Sequence, residues 1–195
     1  SVDMGSTELF SLTTPLVVTV AADENDGNVS PADLSLREAV ILANGSAGTD
    51  TITFAPAING TEIDLTLGQI TVSDSLILNG NGATQTIVDA QLASRILDIT
   101  QSAATVAING MTLKNGRTAG NAHLFNDTRF QGAGIRSMAT GSLTVANSTL
   151  TGNTTSGSYS GGAAIAAQNG KLVITGSALT ANTTNGGESD GGAIN

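Results

Sequence analysis

Two segments of this sequence concentrate the side chains that could do chemistry. The first is an acidic loop over residues 21–33, in which Asp26-Gly27-Asn28-Val29-Ser30 follows the spacing of the middle of an EF-hand-type calcium loop. Ca²⁺ takes about six to eight oxygen ligands, and this loop is rich in carboxylate and amide oxygens. The alternative is a solvated acidic turn with Asp33 as a helix N-cap, because Ala22 stands where the calcium loop would carry its first Asp. The candidate calcium ligands are Asp23, Glu24, Asn25, Asp26 and Asp33.

The second segment, residues 116–131, holds the densest group of reactive and aromatic side chains in the chain. Three hypotheses are open for it: a structured surface loop, a partner-binding loop, or the active site of a polysaccharide lyase or hydrolase. A lyase would need a basic group beside a uronate carboxylate, and a glycosidase would need two carboxylates that face one bond. The candidate binding residues are Arg117, His123, Phe125, Asp127, Arg129, Phe130 and, just after the segment, Arg136.

The acids in the later part of the chain do not predict a catalytic pair. From residue 76 onward none of them recurs at a repeat period that would stack two carboxylates on one face. His123 has no Ser or Cys partner that a motif identifies. The pattern therefore favours a non-enzymatic protein. The acids in this part of the chain are Asp89, Asp98, Asp127, Glu188 and Asp190.

A repeating scaffold must position these segments. Residues 141–155 return 29 positions later as residues 170–184, so that Leu143 aligns with Leu172. A period in this range is typical of solenoid proteins, in which each repeat stacks on its neighbour. The repeats also align Thr154-Thr155 with Thr183-Thr184, which predicts polar rows at the corners.

An earlier unit follows the same pattern with a longer spacing. Val106 and Leu113 match Leu143 and Leu150, but the offset is 37 residues rather than 29. About eight extra residues therefore lie between the two units, and we expect them to project as a loop within 116–131. Insertions in solenoids collect on one face, which is often the binding face.

Short strands and one helix are predicted around these repeats. The helix spans residues 33–44, with Leu36, Val40 and Ile41 on its buried face and Asn44-Gly45 at its end. It precedes the first repeat, where it would cover the apolar end of a solenoid. The predicted strands are 15–20, 52–54, 63–65, 70–72, 76–78, 86–88, 96–99, 106–108 and 112–113.

Composition and charge exclude several classes of protein. The chain of 195 residues has 24 Gly and no Trp, and its small and β-branched residues favour a thin core of short strands. A net charge of −9 with seven Lys and Arg argues against nucleic-acid binding, which needs basic patches. No apolar run reaches the roughly 20 residues that span a bilayer, so no membrane insertion is expected.

The segments Asp23–Gly27 and Leu34–Val40 resemble the N-terminal CSLREA-type domain of large secreted bacterial proteins. The Gly-Gly-Ala-Ile corner at 191–194 and the Leu-x-x-Asn units resemble polymorphic outer-membrane-protein repeats. Together the resemblance covers roughly residues 15–195. It implies a right-handed parallel β-helix of the pectin-lyase-like kind, secreted or displayed at the cell surface. The family usually carries a cysteine at the position of Leu34 here, so any disulfide at that position is lost.

The resulting expectation is an all-β fold, a right-handed parallel β-helix with one short N-terminal capping α-helix. It would form a single domain over residues 1–195, in which 1–50 precede the repeats. The leading hypothesis for function is an extracellular, adhesin-type structural or binding module of a larger secreted protein, with a cell-surface or carbohydrate ligand. The alternatives are a polysaccharide lyase or hydrolase, and a head-to-tail fibre subunit that self-associates through open ends. The last repeat ends incomplete at Asn195, which predicts an exposed edge of strands.

Overall fold

The computed structural model describes residues 16–101, 104–120, 128–187, 189 and 191–195. Within these ranges the chain consists mostly of short strands with one α-helix, and every pairing between strands is parallel. The predicted all-β class with a single N-terminal helix is therefore confirmed at the level of parallel sheets.

Two of the four sheets collect the apolar strands of successive repeats. Sheet A contains, in spatial order, β1 (Leu16–Val18), β2 (Asp50–Phe54), β5 (Leu76–Asn79), β8 (Thr105–Asn109), β12 (Ser142–Ala146) and β16 (Lys171–Thr175). Sheet B contains β3 (Glu62–Asp64), β6 (Ile87–Asp89), β9 (Thr112–Lys114), β13 (Thr149–Thr151) and β17 (Ala178–Thr180).

The other two sheets are smaller. Sheet C contains β4 (Ile70–Val72), β7 (Leu97–Ile99), β11 (Ile135–Ser137) and β15 (Ile165–Ala167), and sheet D contains β10 (Arg117–Ala119), β14 (Thr154–Ser156) and β18 (Thr183–Asn185). From β2 the chain passes from sheet A to B to C and back to A, and from β9 onward it adds a strand of sheet D between B and C. Two 3₁₀ turns lie at Pro56–Ile58 and Thr128–Phe130.

The register predicted from the repeats is confirmed. Leu143 pairs with Leu172 and Leu150 with Leu179, as the 29-residue period requires. The longer offset of 37 is confirmed as well, because Leu143 also pairs with Val106 on its other side. All eight strands predicted between residues 52 and 113 are present, with bounds that differ by at most two residues.

One predicted loop is partly a strand. The segment 116–131 begins with β10, which pairs with β14 and is the first strand of sheet D. The row of threonines is therefore three strands long, Thr118–Thr155–Thr184, rather than two.

The helix α1 spans Leu36–Asn44 and ends at Gly45, as predicted, but its start differs. Its N-cap is Ser35, not Asp33. The Ser35 hydroxyl accepts a hydrogen bond from the Glu38 amide while the Glu38 carboxylate accepts one from the Ser35 amide. This reciprocal capping box satisfies two helix-end donors at once, which Asp33 cannot do from two residues away.

Helix α1 covers one end of the sheets. It packs on β1, β2 and β4, and its apolar face belongs to the same core cluster as the inward strand residues. Ile41, predicted to be buried, is 47 % exposed, because the buried face instead runs through Ala39, Val40 and Ala43. No helix among the described residues is long and apolar enough to cross a membrane.

The opposite end of the sheets has no such cover among the described residues. Leu143 and Leu150 are fully buried, whereas their partners one strand further, Leu172 and Leu179, are only partly buried. Ile194, which forms a parallel bridge with Ile165 at the same end, is 41 % exposed. The last side chains of the apolar rows are therefore partly exposed to solvent at this end.

The difference in burial between Leu150 and Leu179 predicts that the same truncation lowers the free energy of unfolding by different amounts in adjacent strands. Leu150→Ala should lower the free energy of unfolding by about 2–5 kcal/mol, because it leaves a cavity between two occupied neighbours. Leu179→Ala should lower the free energy of unfolding by less than half as much, because solvent lies on one side of Leu179 and a stacked side chain on the other. Urea unfolding of both variants measures the two costs. Equal losses would contradict an open end.

Candidate functional site

The acidic loop is anchored to the helix by Asp23. The Asp23 carboxylate accepts two hydrogen bonds from Arg37, at 2.6 Å from Nε and 3.0 Å from Nη2, and a third from the Leu67 amide at 2.7 Å. Its side chain is 1 % exposed. Arg37 in turn donates to the carbonyls of Gly68 and Gln69. Asp23, predicted as a calcium ligand, therefore already joins the loop, the helix and the turn before β4.

The remaining acids of the loop are arranged around a local turn. The Oδ1 atom of Asp26 accepts from the Asn28 amide at 2.8 Å, and the Asn28 side chain donates to Asp33. Desolvation raises the pKa of Glu24, and the negative charges of Asp33, Asp26 and Glu38 raise it further. Asn25 is exposed. The loop thus crowds negative charge, which a bound cation would relieve, and the calcium site stays a prediction.

The structure brings together a different set of acids on sheet B. Asp64 pairs directly with Asp89, and carboxylate oxygens of Glu62, Asp64 and Asp89 all lie within 4.8 Å of one another. Among the described residues these three form the one such group, which we call the sheet B acid cluster. The expectation that the acids from residue 76 onward do not stack on one another does not cover this pair, because Asp64 precedes that range. The alternation of Glu62, Ile63 and Asp64 indicates that two of these acids share the outward face, but no fixed period relates them to Asp89.

A lysine neutralises part of the sheet B acid cluster. Lys114 follows Asp89 in the same row, with its Nζ 2.6 Å from a Glu62 oxygen and 3.2 Å from an Asp89 oxygen. The hydrogen bond from Lys114 to Glu62 is the main reason that the pKa of Lys114 is raised. Asn115 donates to both oxygens of Asp89, and Gln91 donates to Asp64. These carboxylates are therefore engaged by side chains of the protein itself.

The candidate binding residues of the second segment are only partly brought together. His123, Phe125 and Asp127 lie outside the described residues. Arg117 is exposed on β10 in sheet D, and Arg136 lies on β11 in sheet C. The described part of the chain therefore does not assemble this segment into one site.

The arginines at the end of this segment have partners within the fold. Arg136 binds both oxygens of Asp98, at 2.7 and 2.8 Å, across paired strands. The guanidinium of Arg129 lies 5.7 Å from the centre of the Phe130 ring, and this ring lies against Gly120. Arg136 is thus a structural ion-pair partner, and a proton-abstracting role would require it to leave Asp98.

A buried arginine that was not predicted holds the end of the segment. Arg95 donates to the carbonyls of Arg129, Gln131 and Gly132 and to the side chain of Gln69. Burial, the largest cause, lowers the pKa of Arg95 to about 10, while the Asp98 carboxylate opposes this shift and the charge of Arg136 adds to it. The Arg95 side chain therefore supplies hydrogen-bond donors, in place of backbone amides, to three carbonyls where the chain returns to sheet C. Nothing in the local sequence pattern marks this role.

The threonine row of sheet D faces inward rather than outward. The hydroxyls of Thr118, Thr155 and Thr184 donate to the carbonyls of Phe130, Ser160 and Gly192 respectively. Thr155 is fully buried. The row thus satisfies carbonyl groups of the glycine-rich corners, as the interpretation of polar corner rows predicts.

Comparison with known proteins identifies no relative: no family model, no curated protein and no solved structure matches this chain. The resemblance of residues 23–40 to CSLREA-type domains remains a prediction.

If the acidic loop binds calcium, Ca²⁺ should raise the melting temperature. At a free concentration of about 100 times the Kd, the stabilisation would be about 2.7 kcal/mol. Asp26→Asn should abolish this shift, whereas the matched variant Asp64→Asn in the sheet B acid cluster should keep it. Thermal unfolding with Ca²⁺ and with a chelator measures the shift. A shift that only Asp64→Asn removes would move the site to sheet B, and no shift at all would contradict calcium binding.

Proposed function

We propose that the four sheets are the faces of one right-handed parallel β-helix, capped by α1 at its N-terminal end and open at the other. Its function would be that of a non-enzymatic extracellular module, structural or binding, within a larger secreted protein. The repeated passage of the chain through sheets A, B and C supports one continuous helix of strands. Parallel crossovers are right-handed in almost all proteins, which supports the handedness.

The observation that carries this proposal is the difference between the two ends. At one end α1 buries the last apolar side chains, and at the other the rows of Leu172, Ile174 and Leu179 are partly exposed. An open end of this kind is suited to continue into further repeats, because β16 and β17 present the same residue types in the same register as β12 and β13. Further parallel strands in the same register would bury these rows.

The two alternatives have less support. A head-to-tail fibre would require the open end of one copy to meet the other end of the next, where α1 is packed on β1, β2 and β4. A lyase or hydrolase would require free acids and bases, but Asp98 is bound by Arg136, and Lys114 binds Glu62 and Asp89. The extracellular location rests on the resemblance to secreted CSLREA-type proteins.

The proposal predicts that the exposed apolar side chains of β16 bind apolar molecules and promote self-association at this end of the chain. Ile174→Thr should reduce both the binding of an apolar dye and self-association at high concentration, because Ile174 continues the inward row of Val145. Val173→Thr is the matched control, since Val173 lies on the same strand in the outward row of Thr144. Sedimentation velocity and dye fluorescence measure the two effects.

Four outcomes would argue against the proposal. Equal effects of both substitutions, or no dye binding by the wild-type chain, would contradict an exposed apolar end. Regular filaments in negative-stain electron micrographs, lengthening with concentration, would favour the fibre alternative instead. Release of oligosaccharides from an acidic polysaccharide, lost in Arg117→Ala, would favour the enzyme alternative.

A further inference from the structure

One carboxyl group occupies a position in the apolar core. Asp50 opens β2 and pairs with Leu76, and the same row continues through Val106, Leu143 and Leu172. Asp50 is only 6 % exposed, so its side chain is enclosed with those of the row. A carboxylate in such a row costs free energy unless hydrogen bonds or a cation compensate for the water that it loses.

The compensation at Asp50 is incomplete. Its Oδ2 atom is buried and has no hydrogen-bond partner in the part of the chain that the structure describes. The hydroxyl of Ser46, two residues beyond the end of α1, provides a side-chain hydrogen bond to the carboxyl group. Asp50 therefore meets the C-terminal end of the capping helix through a single polar contact.

The charges that neighbour Asp50 among the described residues do not stabilise its ionised form. On α1, Arg37 is bound to Asp23, and Glu38 belongs to the capping box at the other end of the helix. Strand β5 carries no ionisable side chain, and the turn before it carries Asp74, which is negative. Burial raises the pKa of Asp50, Asp74 raises it further, and the hydrogen bond from Ser46 opposes both.

The end of α1 is fastened at the same place. The Asn44 side chain donates to the Thr71 carbonyl at 2.8 Å and accepts from the Ser73 amide at 2.7 Å. The segment 71–75 thus holds the helix end through Asn44 and also carries Asp74 and Ser75, whose carbonyl accepts from the Asp50 amide. A change in the charge of Asp50 therefore acts where the helix is attached to the sheets.

We propose that Asp50 makes the α1 cap sensitive to pH: the protonated side chain holds the helix end on the sheets, and the ionised side chain loosens it. A carboxyl group whose pKa is higher in the folded state binds a proton there before it does so in the unfolded chain. The stability that it contributes is therefore fully present below the unfolded value and is lost as pH rises through the folded value. The covered end of the protein would thus be tighter in acid than at neutral pH.

The test compares the wild-type chain with Asp50→Asn, which is neutral at every pH. Amide hydrogen exchange of α1 is measured for both proteins at about pH 4 and about pH 7, and the ratio of their rates removes the intrinsic effect of pH on exchange. Near pH 7 the α1 amides of the wild type should exchange faster, by about tenfold for each unit that separates the folded and unfolded pKa values of Asp50. Near pH 4 the ratio should approach one. Amides of β12, far from Asp50, should show a smaller change.

Two further variants keep the proposal open to refutation if Asp50→Asn folds poorly. Ser46→Ala removes the hydrogen bond that favours the ionised form, so the pKa of folded Asp50 should rise further and the loosening at neutral pH should be larger. Asp74→Asn, at a less buried position, should reduce the loosening. A ratio that does not change with pH, faster exchange of α1 in Asp50→Asn than in the wild type, or a smaller loosening in Ser46→Ala together with a larger one in Asp74→Asn would each overturn the proposal.

Discussion

The structure depends on the stacking of identical inward rows between parallel strands. Most of these strands are only three residues long, and a strand of that length has no stability of its own. Each contributes one or two inward side chains, such as Leu113 and Leu150 in sheet B, and these are buried only because the neighbouring strands place equivalent side chains on both sides. The stability of each repeat therefore depends on the repeats that stack on it. The stability of the whole stack depends on how its two ends are covered.

Polar rows fix the register at the corners, where apolar rows cannot. Asn153 is fully buried; its side chain accepts from the Gly116 amide and donates to the Asn182 side chain one repeat further on. The inward threonines of sheet D and the guanidinium of Arg95 do the same for corner carbonyls. Since an unpaired buried carbonyl or amide costs about 1–3 kcal/mol, these residues specify which corner follows which strand. Asp23 and Arg136, two of the residues that first suggest chemistry, also have structural roles.

The sequence predicts the strands and the register of the regular repeats, and it misses contacts between segments that no fixed period relates. The spacing of Leu143 and Leu172 is enough to give the register of sheets A and B, because the same side chains recur at a fixed period. The first repeats have other lengths, so the pairing of Asp64 with Asp89 is hidden. The helix start is misplaced because Asp33 and Ser35 are both good N-caps, and only the reciprocal bond with Glu38 decides between them. The contacts of Arg95 join residues more than thirty positions apart, which no local pattern reports.

The most direct test of the central claim, one covered end and one open end, is amide hydrogen exchange along the wild-type chain. A covered end and an open end predict slow exchange in α1 and in the strands from β2 to β12, and fast exchange in β16, β17 and β18. That profile would follow from the rows that end at Leu172 and Leu179. Equal protection of β12 and β16 in a chain that sedimentation shows to be monomeric would contradict the account, because it would mean that other parts of the chain cover the last repeat.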